Sequence, residues 1–285
     1  MSTGPKTLVV CLDGVRPDAL LAANTPFIQS LVVQPGTCRY SFHVRCASIP
    51  LSFPSWASIF TGQPEDVHGV HDNTPQPCGY PSIFHELRQR DMQVAAFLQG
   101  WYGLRNVLCG GTGNTFARET QSATYPANLR VFAKVEDTIV AATSSLETDT
   151  VADMTVVYLH DVDAVGHRHG FAPHIPEYVA ALGRADTHVQ RVWTAVRRRA
   201  CTHPDEDWQV IVTTDHGGHE THGYSVVPSG QERYRGCHGI RGLGPDQTTF
   251  ILVDDGRSHV SRELMPPPTH TMVTSLVRDH LVPSL

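Results

Sequence analysis

The sequence lacks an apolar run near the roughly 18 residues that a transmembrane helix needs, and its net charge of -6 provides no broad basic surface. These absences argue against a membrane segment and against a nucleic-acid polymer as a partner. The first residues, MSTGPKTLVVCLDG, hold only about six apolar positions before Asp13, too few for a secretory signal. The sequence therefore predicts a cytoplasmic protein.

Cysteine is also sparse, with seven residues scattered over the chain and no CxxC pair, so we expect reduced thiols and no disulfide framework. No repeat, low-complexity tract or composition shift divides the chain, and residues 1–285 are predicted to form a single catalytic domain. Histidine, in contrast, is abundant: 17 are present, several beside Asp or Gly, which indicates metal binding.

Short β-branched runs alternate with helical patterns along the chain. Predicted strands cover residues 7–12, 93–98, 154–159, 209–214 and 249–253. Predicted helices begin at Pro17 and cover 26–33, 82–89, 129–142, 176–199 and 270–281. This alternation predicts an α/β fold with a mostly parallel central sheet, helices on both faces and ligands at the carboxyl ends of the strands. Residues 109–128 and 217–244 are predicted as loop insertions, at least one of which forms a lid.

Ligand-type side chains follow three of the predicted strands. Asp13 follows the first, Asp163 and His167 lie in HDVDAVGHRHG after the strand at 154–159, and Asp215 and His216 lie in TTDHGGH after the strand at 209–214. Because the carboxyl ends of parallel strands meet at one edge of a sheet, these groups should converge. Carboxylate oxygen and imidazole nitrogen are ligands for zinc and similar ions, so a metal site is predicted there.

A serine, Ser52, precedes Phe53-Pro54 and a helix-like run. A serine at the start of a proline-initiated helix directs its hydroxyl and the free N–H groups of the helix towards an incoming anion, as a phosphoryl group would be. Its hydroxyl is a weak nucleophile at neutral pH, and with no triad apparent its activation would have to come from a bound metal ion. Together with a late histidine, His238, the ordered set is more specific than any single motif.

The ordered motifs resemble the alkaline phosphatase superfamily, and within it the type I phosphodiesterase/nucleotide pyrophosphatase branch. The matching pieces are Asp13-Gly14-Val15-Arg16-Pro17-Asp18, Pro50-Leu51-Ser52-Phe53-Pro54, Thr61-Gly62, Pro64-Glu65, His68-Gly69-Val70, residues 163–167, Asp215-His216-Gly217 and His238-Gly239. The resemblance extends over nearly the whole chain and implies a metal-dependent hydrolase of small phosphate esters.

Carried over residue by residue, the resemblance implies two divalent ions, zinc first and manganese or iron as alternatives. One ion would be held by Asp163, His167 and His238. The other would be held by Asp13, Asp215 and His216, with Ser52 bound as an alkoxide. Ser52 would attack phosphorus and water would then release the phosphoryl group.

Several departures leave the substrate open. Many members of the branch have threonine and, three positions on, asparagine where this chain has Ser52 and Ser55, which makes Ser55 a candidate substrate contact. Arg16 is a second candidate, because its side chain could approach a substrate phosphate. Phosphomonoesterase activity, a phosphate-transferring mutase, a phosphonate hydrolase and a non-catalytic metal-binding protein remain alternatives. A sulfatase is disfavoured because Trp56 occupies the position of an arginine in that branch's motif. Trp101, Tyr102 and Tyr234 are candidates for stacking on an aromatic leaving group.

Overall fold

The computed structural model describes residues 3–33, 38–74, 76, 78–100, 103–109, 128–221, 234–256 and 261–283. Its strands are β1 (Gly4–Leu12), β2 (Arg39–Arg45), β3 (Val94–Gln99), β4 (Leu129–Phe132), β5 (Met154–Leu159), β6 (Glu206–Thr214), β7 (His219–Glu220), β8 (Gly236–Cys237), β9 (Thr248–Asp254) and β10 (Arg262–Glu263). Its helices are α1 (Pro17–Ala22), α2 (Pro26–Val32), α3 (Ser52–Thr61), α4 (Glu65–His68), α5 (Ile83–Arg88), α6 (Gly103–Cys109), α7 (Val135–Leu146), α8 (Asp161–His169), α9 (Pro176–Thr202), α10 (Gly244–Gln247) and α11 (Met272–Leu281).

Eight strands form one sheet in the order β10-β2-β9-β6-β1-β5-β3-β4. β1 lies parallel to both β5 and β6, and β3 lies parallel to β5 and β4. In this sheet β9 runs antiparallel to its neighbours β6 and β2. β7 and β8 form a separate antiparallel pair. The predicted α/β fold with a mostly parallel sheet is confirmed.

The two faces of the sheet are covered by separate hydrophobic clusters, because side chains alternate along each strand. On β1, Leu8, Val10 and Leu12 pack into the cluster that holds α1, α2, α7 and α9. Val9 and Cys11 point the other way, into the cluster formed with α3, α5, α6 and α11. β1 is thus buried on both faces, which explains why its sequence is an apolar run rather than an alternation.

The predicted helix at 129–142 is wrong in its first part. Leu129–Phe132 is the edge strand β4, paired in parallel with β3, and the helix α7 begins only at Val135. The backbone of residues 129–132 pairs with that of β3, and this tertiary pairing outweighs the helical periodicity of the local sequence. β2 was not predicted; it pairs with β9.

The two predicted loop insertions differ in how much of them the structure describes. Most of residues 109–128 lies outside the described residues, as does 222–233. The described part of the second segment forms the β7–β8 pair and α10. No helix of the described residues combines the length and apolar character required to cross a bilayer.

Candidate metal centre and nucleophile

The candidate site lies at the carboxyl edge of the sheet, where β6, β1 and β5 are neighbours. Asp13 follows β1, Asp215 follows β6, and Asp163 lies in the first turn of α8 after β5. Their exposed fractions are 0%, 0% and 2%. The strand ends that the sequence placed at one edge therefore bring three carboxylates together inside the protein.

The turn after β1 brings these aspartates close. Gly14 has a φ of 69°, and a Cβ at this position would lie 2.8 Å from Cβ of Asp163. Only glycine tolerates both the left-handed backbone and this approach. Its N–H also donates to Oδ1 of Asp215 at 3.2 Å. Gly14 thus holds the ends of β1, β5 and β6 together.

One group of ligand-type atoms comprises Asp163, His167 and His238, with one atom from each within 4.8 Å of the others. Nε2 of His167 lies 3.4 Å from Oδ2 of Asp163, and Nε2 of His238 lies 3.7 Å from Oδ1. The two Nε2 atoms are 3.2 Å apart. This is the trio that the sequence assigned to one ion.

A second group comprises Asp13, Asp163 and His216. Nε2 of His216 lies 3.4 Å from Oδ1 of Asp13 and 3.3 Å from Oδ2 of Asp215. The same nitrogen lies 3.1 Å from Oγ of Ser52. Asp13 and Asp215, which the family resemblance assigned with His216 to the other ion, therefore both lie close to Nε2 of His216.

Backbone carbonyls orient all three histidine rings. Nδ1 of His167 contacts the oxygen of Gly236 at 3.1 Å, Nδ1 of His216 that of Gly217 at 2.8 Å, and Nδ1 of His238 that of Pro50 at 2.9 Å. A carbonyl can only accept, so each Nδ1 donates its proton to the carbonyl, and each ring turns its Nε2 towards the carboxylates. Burial, followed by the nearby His216 and His167, lowers the pKa of His238 well below its usual value and keeps that ring neutral.

The negative charges of the three buried aspartates, Asp13, Asp163 and Asp215, are poorly compensated by other groups of the chain. Oδ1 of Asp13, Oδ1 of Asp163 and Oδ2 of Asp215 are buried without a hydrogen-bond partner. Burial, followed by the charge of Asp13, raises the pKa of both Asp163 and Asp215. Within the described residues, no lysine or arginine forms an ion pair with the three aspartates. Buried oxygens with this electrostatic deficit fit a pair of divalent cations.

Asp13 is held on one side by aromatic donors. The hydroxyl of Tyr158 and Nε1 of Trp56 both donate to Oδ2, the latter at 3.4 Å. His160 lies against the same oxygen, with Nδ1 3.7 Å away. Burial acts to lower the pKa of His160, but the hydrogen bond to Asp13 and the negative charge of Asp13 raise this pKa to about 9. For Asp13, burial also acts against ionisation, but His160 and His216 lower its pKa overall.

Phe171 packs behind the histidines. Its ring centroid lies 5.3 Å from that of His167 and 6.1 Å from that of His238. A Cβ at Gly166 or Gly218 would come within 2.5 Å of this fully buried ring. The glycines of the GHRHG and DHGGH segments therefore make room for the aromatic support of the site.

Ser52 begins α3 and is 5% exposed. The expected free N–H groups are only partly present, since Pro54 has none and the N–H of Phe53 donates to Oδ1 of Asn73 at 2.9 Å. Asn73 is exposed and lies on the loop after α4. An asparagine amide therefore lies beside the residue that follows Ser52, but it comes from position 73 and not from position 55.

The two predicted substrate contacts have other partners. Ser55 is fully buried, and its Oγ lies 3.1 Å from Oγ of Ser48 and 3.3 Å from the oxygen of Ile49. The guanidinium of Arg16 donates to Asp18 and to the oxygens of Phe171 and Gly218. These contacts anchor chain segments, so the structure offers no support for either substrate role.

Sequence reasoning did not single out Tyr158, His160 and Asn73. Tyr158 reads as one more apolar position of β5, although a polar hydroxyl at the end of a buried strand was a usable signal. Of the aromatic candidates, Tyr234 is 46% exposed with its ring centroid 5.1 Å from that of His167, at the edge of the site. Trp101 and Tyr102 lie outside the described residues.

Residues 7–231 match the sequence model of the type I phosphodiesterase / nucleotide pyrophosphatase family. The chain belongs to this family. The predicted branch of the alkaline phosphatase superfamily is thereby confirmed, and its members hydrolyse phosphate esters.

Curated relatives are about a quarter identical to this chain over the aligned residues. GPI ethanolamine phosphate transferase 1 of Aspergillus fumigatus is 26% identical over 201 residues, covering 67% of this chain and 19% of the relative. The bis(5'-adenosyl)-triphosphatases ENPP4 of Bos taurus and Homo sapiens are each 25% identical, covering 75% and 76% of this chain and 47% and 48% of theirs. The chain thus spans less than half the length of these relatives.

Solved structures show the same fold. Murine ectonucleotide pyrophosphatase / phosphodiesterase 5 superimposes with a TM-score of 0.73 at 14% identity, covering 97% of this chain and 95% of that one. An inactive variant of the murine protein in complex with AMP matches equally well, and the human protein gives a TM-score of 0.69 at 15% identity, covering 97% and 94%. At such identity the likeness establishes the fold.

Proposed function

We propose that this chain is a metal-dependent phosphodiesterase or nucleotide pyrophosphatase that uses Ser52 as its nucleophile and binds two divalent cations, zinc first. The observation that carries the proposal is the position of Ser52 Oγ, 3.1 Å from the Nε2 atom of His216 that also faces Asp13 and Asp215. Family membership independently supports phosphate-ester hydrolysis.

Asp163, His167 and His238 would hold one cation, and Asp13, Asp215 and His216 the other. The buried oxygens without partners and the three oriented Nε2 atoms support this assignment. When bound, the cations supply charge neutralisation for the phosphoryl group and favour loss of the serine proton.

The chain's own residues then bind and position the substrate. Ser52 Oγ forms a bond to phosphorus as the bond to the leaving oxygen breaks, and water subsequently releases the phosphoryl group from the serine. The side-chain amide of Asn73, whose Oδ1 accepts from the N–H of Phe53 next to Ser52, is suited to donate from its N–H₂ group to a phosphoryl oxygen. Tyr234 offers an exposed ring at the edge of the site for a nucleoside or other aromatic leaving group.

The test is a metal analysis of the purified protein combined with a side-by-side assay of a phosphate diester, a phosphate monoester, a phosphonate monoester, a sulfate ester and a dinucleoside triphosphate. We expect about two metal ions per chain, the highest kcat/KM on the diester or the dinucleotide, and loss of turnover on the order of 10³-fold or more in Ser52→Ala with metal still bound. Turnover that survives in Ser52→Ala would refute the nucleophile.

A transferase outcome is measured in the same assay. The Aspergillus relative is named a phosphate transferase, so the reactions are repeated with a simple alcohol such as ethanolamine. If the phosphoryl group passes mainly to the alcohol rather than to water, the hydrolase proposal is incorrect and a transferase takes its place.

A further inference from the structure

Glu65 begins α4 and is 9% exposed. Its carboxylate accepts from three groups that lie far apart in the chain. The N–H of Ile49 donates to Oε2 at 2.6 Å, the guanidinium of Arg241 donates to the same oxygen at 2.6 Å, and Nδ1 of His71 lies 2.9 Å from Oε1. No metal ligand is among these partners.

Each partner belongs to a segment that carries a group of the site. Ile49 precedes Pro50, whose oxygen accepts from Nδ1 of His238, and the same segment leads into Ser52. Arg241 lies three residues after His238.

His71 connects the same carboxylate to the other side of Ser52. It lies two residues before Asn73, whose Oδ1 holds the N–H of Phe53. One carboxylate therefore contacts the segments that place the nucleophile, a histidine ligand and the amide beside the nucleophile.

We propose that Glu65 is a positioning residue that sets the spacing of the Ser52, Asn73 and His238 segments. The roles of these three groups rest on the proposed function, whereas the mechanical coupling of their segments does not. Hydrogen bonds with an ionised partner are roughly twice as strong as neutral ones, and a single carboxylate can accept several of them at once. A displacement of about 1 Å in any of the three groups would lower the rate by about 10²-fold.

The carboxylate is suited to this role because it stays ionised. Burial acts to raise the pKa of Glu65, but the bonds from His71, Ile49 and Arg241 lower it below its ordinary value. A glutamine at this position keeps the shape of the side chain but has a single acceptor oxygen and no charge, so its N–H₂ group would face at least one of the three donors, and Glu65→Gln weakens the coupling.

The experiment compares Glu65→Gln with the matched control Glu86→Gln, which removes a carboxylate that binds Arg278 in a surface pair away from the site. Hydrogen exchange of the metal-loaded full chain is followed for residues 47–53, 69–74 and 236–243. In Glu65→Gln we expect faster exchange in all three segments and a kcat lowered about 10- to 100-fold. In Glu86→Gln both quantities should match the wild type.

Two further variants test the contacts of Glu65 with Arg241 and with His71 separately. Arg241→Met should accelerate exchange around His238 and raise the rate at which a chelator removes metal, while KM stays unchanged. His71→Leu should accelerate exchange at 69–74 and raise KM several-fold, while metal retention stays unchanged, because Asn73 contacts substrate and not metal in the proposed function.

The outcomes distinguish this proposal from the function on which it rests. If the wild type shows no turnover on the substrate panel, the proposed function fails, but the exchange pattern still decides the role of Glu65. If Glu65→Gln lowers the melting temperature without coupled exchange in the three segments, or matches Glu86→Gln throughout, Glu65 is an ordinary structural residue and the proposal is overturned.

Discussion

The buried carboxylates at the two ends of β6 differ in how fully other groups of the chain compensate their charge. At its start, Glu206 receives two hydrogen bonds of 2.7 Å from Arg199 and one of 2.9 Å from Nε1 of Trp208. Arg199 also donates to the oxygens of Leu146 and Thr148. At the other end, Asp215 keeps Oδ2 without a partner beside two more buried aspartates.

The comparison separates a buried carboxylate whose charge the chain itself compensates from one whose charge it does not. Burying a carboxylate is costly unless its charge is compensated, and at Glu206 the chain itself supplies the cation and every hydrogen bond. At Asp215 the compensation within the described residues is incomplete, and burial instead raises its pKa. Uncompensated charge of this kind is typical of functional sites, where a ligand completes the electrostatics.

The largest effect is expected from Asp215→Asn. The amide retains the acceptor for the N–H of Gly14 but removes the charge of a proposed metal ligand, so turnover should fall on the order of 10³-fold. Without the repulsion from Asp13 and Asp163, the metal-free variant should melt above the metal-free wild type. Calorimetry with and without chelator, together with steady-state kinetics, measures both. A metal-free variant that melts lower than the metal-free wild type would contradict the difference between the two ends of β6.

Glu206→Gln should have the opposite profile. Removing one partner of a buried ion pair leaves Arg199 uncompensated, so the free energy of unfolding should fall by about 3 kcal/mol. Turnover per folded molecule and metal content should remain at the wild-type values, because this residue lies at the far end of the strand. Glu136→Gln, which removes an exposed partner of Arg191, serves as the control and should leave the urea midpoint unchanged. Equal losses in the two variants would show that the buried pair adds nothing.

Tyr158→Phe should have an intermediate effect. The hydroxyl of Tyr158 holds Oδ2 of Asp13, and loss of a contact that orients a ligand typically costs about 10- to 100-fold in metal affinity. Competition with a metal-binding dye measures the affinity directly. Phe97→Leu on β3 is a comparable change in a buried aromatic that does not touch the site, and it should leave the affinity unaltered.

The smallest effect is expected from a lower pH, which should change the stability differences between these variants and the wild type. The pKa of Glu206 is lowered in the folded protein, despite burial, by Arg199 and Trp208, so its contribution is present above the unfolded pKa and is lost as pH falls through the folded pKa. The pKa of Asp215 is raised, so its destabilisation of the metal-free protein grows as pH rises from the unfolded pKa to the folded pKa and is constant above it. Both differences from the wild type, a loss in Glu206→Gln and a gain in metal-free Asp215→Asn, should shrink towards low pH. Urea titrations across the pH range measure these differences. A stability difference between variant and wild type that widens at low pH would contradict the expected pH dependence.

Much of the site followed from local sequence because ligand-type residues stood directly after predicted strands. Asp13, Asp163, His167, Asp215, His216 and His238 lie together in the structure. Their metal-binding role stays a prediction. For the residues after β1, β5 and β6, proximity follows from the rule that parallel strands end at the same edge, whereas His238 was added to the set by the family resemblance.

By itself the sequence determined the α/β fold, the family and the ordered set of ligand-type residues, since periodicity and motif spacing are local properties. The tertiary structure decided that residues 129–132 form an edge strand, that Asn73 binds the N–H next to Ser52, and that Tyr158 and Glu65 bond to Asp13 and Ile49. These features depend on contacts between segments far apart in the chain, whose hydrogen bonds and close packing outweigh the preferences of any short stretch of residues.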